Sequence, residues 1–297
     1  MKQLEPGGVA AEKTVTKTAI PPARADWTID QQWERYTPEQ HGVWKTLFER
    51  QTRLLPGRAC DEFVQGMQNL PIGAEQIPDF RRLSDVLMQR TGWQVVAVPG
   101  LVPDEVFFEH LAHRRFPAGQ FIRGANQLDY LEEPDVFHDV FGHVPLLMNP
   151  VMAAFIQAYG EGGLKALRLG HLDKLARVYW YTVEFGLLRQ PDGLRLYGAG
   201  IASSYTESRF CLDSDSPHRL RFELERVMQT RYRIDDFQET YFVLNSLEEL
   251  LELSRIDFAP AYTRLEQAAE HAPGGVLAGD TVVTLGTGRY HQAKRGA

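Results

Sequence analysis

The stretch PDVFHDVFGHVP places two histidines, His138 and His143, five residues apart among apolar neighbours. On an α-helix, a step of five residues rotates by roughly 140° and points the two rings apart. Gly142 and Pro145, however, both predict that the helix stops near the second histidine. We therefore expect His138 on the last helical turn and His143 just beyond it, so that both rings converge on a metal ion.

The histidine pair alone is weak evidence for a metal site, because the chain contains nine histidines. The alternative is that both are core histidines, each bonded to a backbone carbonyl. The zinc-protease pattern His-Glu-x-x-His is not matched, since Asp139 follows the first histidine and the second comes one residue late. A third ligand is therefore needed to decide between the two interpretations.

A candidate third ligand is Glu184, within the segment LARVYWYTVEFGLL at positions 175–188. This segment is apolar nearly all round, which predicts a buried helix. A charged glutamate in such a helix needs a partner, because burying it alone is costly and shifts its pKa until it is neutral. An ion pair with Arg177 is the alternative. We favour a metal ion because the two histidines also require an explanation.

Two histidines and one carboxylate form the facial triad of non-haem iron(II) oxygenases, which leaves further coordination positions open. Thiolate ligands are not indicated, because the only cysteines, Cys60 and Cys211, are expected to be buried free thiols. Two alternatives remain open. One is a helical hydrolase that holds zinc with the same three ligands, and the other is a noncatalytic module whose histidines belong to the core.

The composition of the chain excludes several classes of protein. Its 297 residues, 43% of them hydrophobic, suffice for one large core or two small domains. No apolar run approaches the length of a membrane span, and the first residues contain no apolar signal region. A net charge of −7 argues against a nucleic-acid partner. We expect a cytoplasmic protein whose residues 1–26 form a disordered leader.

Helix signals dominate the rest of the chain, which predicts a mainly α fold with a few short β-strands. Strands are expected at WQVVAV, GQFIR and LRLYG. Residues 273–297 form a Gly-rich C-terminal tail without a heptad pattern, so we expect a monomer. Capping residues predict four helix starts, at Thr37, Asp79, Asn149 and Ser246.

Three segments, PDVFHDVFGHVPLL, YWYTVEFGL and YGAGIASS, resemble the signature segments of the pterin-dependent aromatic amino acid hydroxylases. The resemblance extends from about Trp27 to about Tyr262. It implies a single mainly helical catalytic domain, which we place at 27–272. By the resemblance, the iron ligands and catalytic residues are His138, His143 and Glu184.

The resemblance also implies the chemistry of the site. The cofactors are iron(II) and tetrahydrobiopterin or another tetrahydropterin, and O2 is the co-substrate. The family hydroxylates the ring of phenylalanine, tyrosine or tryptophan, and an iron(IV)-oxo species is the implied oxidant. Apolar Val243, at a position that separates substrate preferences, favours conversion of L-phenylalanine to L-tyrosine. Tryptophan or tyrosine hydroxylation is the alternative within the family.

Further residues are assigned by the same resemblance. Phe107 stacks on the pterin ring, although a core role is its alternative, and many relatives carry glutamate where Asp139 stands. Arg123 grips the substrate carboxylate and Asp135 orients Arg123. Small molecules are the only partners expected. The pterin residues are Leu101, Phe107 and Asp139; the substrate residues are Arg123, Asp135, Trp180 and Ser203, with Tyr179 lining the same cavity as Trp180.

Overall fold

Helix starts coincide with the capping residues of the sequence in three of the four predicted places. The structure, a computed structural model, describes residues 22–129 and 133–296. The Thr37 hydroxyl accepts from the Gln40 N–H at 3.2 Å, and the Gln40 side chain accepts from the Thr37 N–H at 2.8 Å. Asp79 and Asn149 cap their helices in the same manner. The bounds of these helices are α1 Pro38–Leu54, α3 Phe80–Arg90 and α6 Pro150–Leu169.

The prediction that Ser246 and Glu249 form a capping box is wrong. The helix that follows Ser246 begins at Glu248, and no side chain caps it. The carboxylate of Glu249 instead accepts from the Asn245 N–H at 2.8 Å and forms an ion pair with Arg221. A nearby arginine therefore engages the carboxylate that the capping box requires.

The remaining helices lie before, between and after the segments that contain His138, His143 and Glu184. Their bounds are α2 Asp61–Asn69, α4 Asp104–Ala112, α5 Val144–Leu147, α7 Leu172–Tyr179, α8 Ala199–Ala202, α9 Tyr205–Asp213, α10 Leu224–Met228, α11 Glu248–Leu253, α12 Ala259–Leu265 and α13 Arg289–Arg295. A short 3-10 helix spans Trp33–Arg35, and two π-helices span Phe137–His143 and Trp180–Glu184.

Two small sheets complete the mainly α architecture. The strands are β1 Gln94–Val98, β2 Arg115–Gly119, β3 Leu187–Gln190, β4 Gly193–Leu196, β5 His218–Arg221, β6 Thr240–Leu244 and β7 Val282–Thr284. Strands β1 and β2 pair in parallel through the crossover helix α4. The second sheet has the order β4-β3-β6-β5-β7, with β3, β6 and β5 parallel and both edge strands antiparallel.

Strand predictions at WQVVAV and LRLYG are confirmed by β1 and β4, whereas the one at GQFIR is wrong. Strand β2 ends at Gly119, and the chain then leaves the sheet. The carbonyl of Phe121 accepts from the Val136 N–H, and the Arg123 N–H donates to the Asp135 carboxylate at 2.9 Å. These contacts with the segment before the histidines replace a strand ladder. The predicted helix over 175–188 also ends early, because Leu187 already belongs to β3.

The first π-helix is wedged into the core by aromatic side chains on the face opposite its histidines. Phe137 lies 5.3 Å from Trp44 of α1 and 4.8 Å from Phe141, measured between ring centroids. Phe141 in turn meets Phe48 and Phe63. Burial of Phe137, Phe141 and Trp44 is complete. Such close packing fixes where the neighbouring histidines point.

Residues 273–296, the described part of the predicted tail, lie on the second sheet. Strand β7 pairs with β5, and α13 follows it. The domain boundaries remain a prediction, and most of the predicted leader, residues 1–21, lies outside the described residues. Both cysteines are buried and free, as expected.

Membrane-spanning candidates are few in the part of the chain that the structure describes. No single helix there combines sufficient length and apolar character. One bent pair, Phe137–Leu147 with Pro150–Leu169, meets the criteria by length and composition only, with 116° between its helices.

Two glycines of α6 test how tightly this helix packs on α4. A Cβ at Gly160 would lie 2.4 Å from the backbone nitrogen of Ala112, whereas one at Gly162 would meet nothing within 4 Å. We expect Gly160→Ala to lower the free energy of unfolding by about 1–3 kcal/mol through overpacking. Gly162→Ala is expected to raise it by up to about 1 kcal/mol. Urea unfolding measures both, and equal effects would contradict the packing.

Candidate metal centre

The two histidines point to one place because their helix is a π-helix. In a π-helix the backbone bonds span five residues, so that residues five apart return to nearly the same face. The prediction that the helix stops near His143 is therefore wrong, since Phe137–His143 continues directly into α5. Pro145 explains the wider turn: it has no N–H, and its ring would clash with the carbonyl of Phe141 in a regular α-helix.

Glu184 reaches the same point from the second π-helix. The Phe185 N–H donates to the carbonyl of Trp180, five residues earlier, at 2.8 Å. A Cβ at Gly198 would lie 2.3 Å from the backbone oxygen of Glu184, and one at Gly200 would lie 3.1 Å from its Oε2. Only glycine therefore allows this segment to approach the glutamate so closely.

The three side chains converge at distances that suit one cation. The two Nε2 atoms of His138 and His143 are 3.3 Å apart. Glu184 Oε1 lies 3.2 Å from His143 Nε2, and its Oε2 lies 3.6 Å from His138 Nε2. Metal bonds of about 2.1 Å at right angles separate two ligand atoms by about 3.0 Å. The donor set thus fits a divalent cation held on one face.

The tautomer of His138 is determined by a serine. Ser203 donates its hydroxyl proton to the carbonyl of Ala199 at 2.8 Å, so it must accept from His138 Nδ1 at 2.9 Å. The proton is therefore on Nδ1, and the Nε2 lone pair faces the other ligands. Burial lowers the pKa of the His138 imidazole to about 4, which keeps it neutral near pH 7.

The carboxyl of Glu184 is ionised in spite of its position. Burial by itself raises its pKa, but the neighbouring His143, His138 and the Gly200 N–H outweigh that effect and lower it. The alternative pairing with Arg177 is wrong. Arg177 forms an ion pair with Glu270 and donates to the carbonyl of Met228 at 3.0 Å.

A cavity of about 190 Å³ opens directly beside the three ligands. Its wall contains all three residues that the resemblance assigned to the pterin, together with Tyr179 and the metal ligands. The Phe107 ring is half-buried and meets the Tyr179 ring edge-on, with 6.0 Å between centroids. Leu101 is 71% exposed at the rim. Four residues that the sequence analysis assigned to the pterin or the substrate therefore line this cavity: Leu101, Phe107, Asp139 and Tyr179.

Asp139 lies in the wall of this cavity and is held by one hydrogen bond. Its Oδ2 accepts from the Gly119 N–H at 2.7 Å, at the end of β2. Burial raises the pKa of its carboxyl to about 7 although that hydrogen bond opposes the shift. The end of β2 therefore fixes the orientation of Asp139.

Arg123 and Asp135 form a buried bidentate pair. Arg123 Nε and Nη2 each donate to one Asp135 oxygen at 2.8 Å, and Nη1 donates to the Leu128 carbonyl at 3.3 Å. Burial by itself raises the pKa of Asp135, but the arginine outweighs it and lowers the pKa. Of the five guanidinium N–H groups, three are used, which leaves one on each terminal nitrogen.

Tyr179 and Trp180 point to different neighbours, because successive residues on a helix face different directions. Tyr179 lines the cavity beside the metal ligands. Trp180 instead packs on Tyr232 and Phe185, with its N–H donated to Gln238. Gln238 was not indicated by the sequence. Gly198 and Gly200 lie in YGAGIASS, a segment that carries the resemblance, but their close approach to Glu184 was not predicted.

Comparison with known proteins gives consistent results. The sequence model of the family described as biopterin-dependent aromatic amino acid hydroxylase matches residues 27–265. The phenylalanine-4-hydroxylase of Caulobacter vibrioides is 60% identical over 273 residues, which cover 92% of this chain and 93% of that protein.

Solved structures of phenylalanine hydroxylase from Chromobacterium violaceum share the fold. The structure with bound iron(III) and oxidised 7,8-dihydrobiopterin matches with a TM-score of 0.85 at 56% identity, over 88% of this chain and 95% of that one. The cobalt-bound structure matches with a TM-score of 0.87 at 56% identity, with the same coverage of both chains.

Glu184→Ala is expected to remove most of the bound iron, because two imidazoles alone do not complete a facial set. Iron per chain, measured by atomic emission after loading with iron(II) and desalting, is the readout. Glu207→Gln is the control, since Glu207 is also a buried glutamate but lies outside the triad. Full iron content in Glu184→Ala would exclude Glu184 as a ligand.

Ser203→Ala is expected to weaken iron binding about 10–100-fold, since His138 loses the partner that fixes its tautomer. Competition with a chelator measures the affinity. Ser208→Ala is the control, because Ser208 is also buried but donates to the carbonyl of Ile201 instead. If both variants bind iron as tightly as the unaltered chain, Ser203 does not orient His138.

Proposed function

The chain belongs to the family of biopterin-dependent aromatic amino acid hydroxylases, and from that membership we propose that it converts L-phenylalanine to L-tyrosine. Iron(II) and tetrahydrobiopterin are the cofactors, and O2 is the co-substrate. Three relatives at 57–60% identity are all named phenylalanine-4-hydroxylase, which supports phenylalanine as the substrate.

One observation carries the proposal: the two imidazoles and one carboxylate converge beside a cavity walled by aromatic rings. The ligand atoms lie 3.2–3.6 Å apart and the cavity includes Phe107 and Tyr179. A metal site alone would be compatible with many reactions. A metal site next to a space lined for a flat heterocycle supports one that uses both.

The bound metal and reduced pterin would supply activated oxygen, for which we propose an iron(IV)-oxo species. The residues of the chain have simpler tasks. His138, His143 and Glu184 hold the metal on one face and leave the other face open. Phe107 offers its ring to the pterin, and Asp139, fixed by Gly119, offers a carboxyl group in the cavity wall. Packed aromatic side chains keep water out.

The amino acid substrate needs a cationic partner for its carboxylate. Arg123 retains one N–H on each terminal nitrogen after its contacts with Asp135 and Leu128. This pair of N–H groups suits a bidentate carboxylate, which a lysine cannot match. Asp135 also accepts from the backbone N–H of His138 at 3.0 Å. Asp135 therefore holds both the arginine proposed to bind the substrate and the backbone of the metal ligand His138.

Selection of the ring is the second part of the proposal. By the resemblance, Val243 stands at the position that separates substrate preferences; it is fully buried in β6, and its side chain has no polar group to receive a ring hydroxyl. A buried site without a partner for a hydroxyl disfavours tyrosine as substrate. Tryptophan or tyrosine hydroxylation is the alternative within the family, and a zinc hydrolase with the same ligands is the alternative outside it. The proposed enzyme is a cytoplasmic monomer.

The test is a side-by-side assay of iron-loaded and zinc-loaded protein with tetrahydrobiopterin and O2. Phenylalanine, tyrosine and tryptophan are each supplied as substrate, and products and oxygen uptake are followed. We expect tyrosine from phenylalanine with the iron form only, and the highest kcat/KM for phenylalanine. A higher kcat/KM for tyrosine or tryptophan would make that amino acid the substrate instead. Absence of oxygen uptake with all three amino acids would exclude hydroxylase activity.

Arg123→Lys is expected to raise the KM for phenylalanine at least tenfold more than the KM for the pterin. The single ammonium group of lysine cannot donate two parallel hydrogen bonds to a carboxylate as the guanidinium group does. Arg177→Lys is the control: Arg177 is also a buried arginine paired with a carboxylate, that of the exposed Glu270, and its replacement should lower the melting temperature without changing either KM. Equal increases of both KM values in Arg123→Lys would make Arg123 a scaffold residue.

A further inference from the structure

The indole of Trp180 is fixed by one hydrogen bond at the start of the second π-helix. Its Nε1–H donates to Oε1 of Gln238 at 2.9 Å. The ring stacks on Tyr232 at 4.3 Å between centroids and meets Phe185 at 4.7 Å. Trp180 is only half-buried, so part of the ring remains accessible. Stacking holds the ring plane, whereas the hydrogen bond sets its rotation within that plane.

Phe185 connects this ring to the metal ligand. Its Cζ lies 2.9 Å from the position of a Cβ on Gly200, and that same position is 3.1 Å from Glu184 Oε2. Trp180, Phe185 and the Glu184 carboxylate therefore follow one another across a short distance. A shift of the indole would reach the neighbourhood of the metal through Phe185.

Gln238 can accept from Trp180 in one orientation of its amide only. Its Nε2 donates to the carbonyls of Arg233 at 2.9 Å and Asp236 at 3.5 Å. Both amide protons thus face carbonyl oxygens, and Oε1 must face the indole. Gln238 is 2% exposed, and a buried amide is tolerated only when its hydrogen bonds are made.

The backbone of Gln238 is itself held in place. Its N–H donates to Glu207 Oε1 at 3.4 Å, and the Tyr241 hydroxyl donates to the same oxygen. Glu207 lies on α9, and Tyr241 lies on β6. The amide that receives the indole proton is therefore anchored from two further elements.

We propose that Gln238 is a positioning residue for the aromatic substrate, because it fixes the Trp180 indole that forms the substrate wall next to Glu184. This inference rests on the proposed function together with the resemblance, which assigns Trp180 to the substrate. Without the buried Gln238 acceptor, the indole N–H is left facing an apolar side chain, and we expect the ring to turn toward another partner. The wall then changes shape while the metal ligands and the pterin residues stay in place.

Gln238→Met keeps the length of the side chain and removes the acceptor. We expect the KM for phenylalanine to rise about two- to tenfold, the range of one lost hydrogen bond, and the KM for the pterin to stay within about twofold. In a Trp180→Phe background the same substitution should cause no further rise. Gln51→Met, at another buried glutamine, should leave both KM values unchanged.

Gln238→Glu separates the indole contact from general stability. Its carboxylate still accepts from Trp180, but its second oxygen faces the carbonyls of Arg233 and Asp236, so the melting temperature should fall. The KM for phenylalanine should stay near that of the unaltered chain. A two- to tenfold rise of that KM in Gln238→Glu would overturn the proposal, and this comparison with the unaltered chain does not require the methionine variant to fold.

Tryptophan emission provides a readout that does not depend on turnover. The chain has five tryptophans, so the spectrum of each protein is compared with its Trp180→Phe counterpart. Gln238→Met should shift the Trp180 contribution, and Gln238→Glu should not. An unshifted contribution in Gln238→Met would overturn the role of Gln238. Absence of phenylalanine hydroxylation in the unaltered chain would instead refute the proposed function, and the emission comparison would still decide the contact.

Discussion

Four N–H groups converge on one fully buried carboxylate, that of Asp135. Three come from Arg123 and one is the backbone N–H of His138. Charge-assisted bonds of this kind are strong, and breaking a buried pair leaves an uncompensated charge. The start of the first π-helix and the side chain proposed to grip the substrate thus depend on the same group. Neither can move far without the other.

Apolar packing determines where this polar centre can lie. Aromatic rings of α1 and α2 hold one face of the first π-helix, and a Cβ at Gly142 would lie 2.8 Å from the carbonyl of Ala199 on α8. The helix is therefore confined on both sides by groups that cannot give way. The side chains that remain free to face the cavity are the two imidazoles and the Asp139 carboxyl.

Local chemistry made part of this fold and site predictable from the sequence. Thr37, Asp79 and Asn149 start their helices because a side-chain oxygen satisfies free backbone N–H groups, which depends only on neighbouring residues. Glu184 could be found because a carboxylate in an apolar helix requires a partner. The failures involve distant residues. Arg221 pairs with the carboxylate that a capping box requires, Asp135 draws the segment GQFIR out of the sheet, and the second π-helix depends on packing that the sequence does not display.

The ligands come from two helices that are far apart in the chain. His138 and Glu184 are separated by 46 positions, and a cation bound to both closes that loop as a cross-link would. Such a cation binds the folded chain and has no comparable site in the unfolded one. Each tenfold rise of its free concentration above the dissociation constant then adds about 1.4 kcal/mol to folding stability. The metal that serves the chemistry is, by this linkage, also a part of what keeps the domain folded.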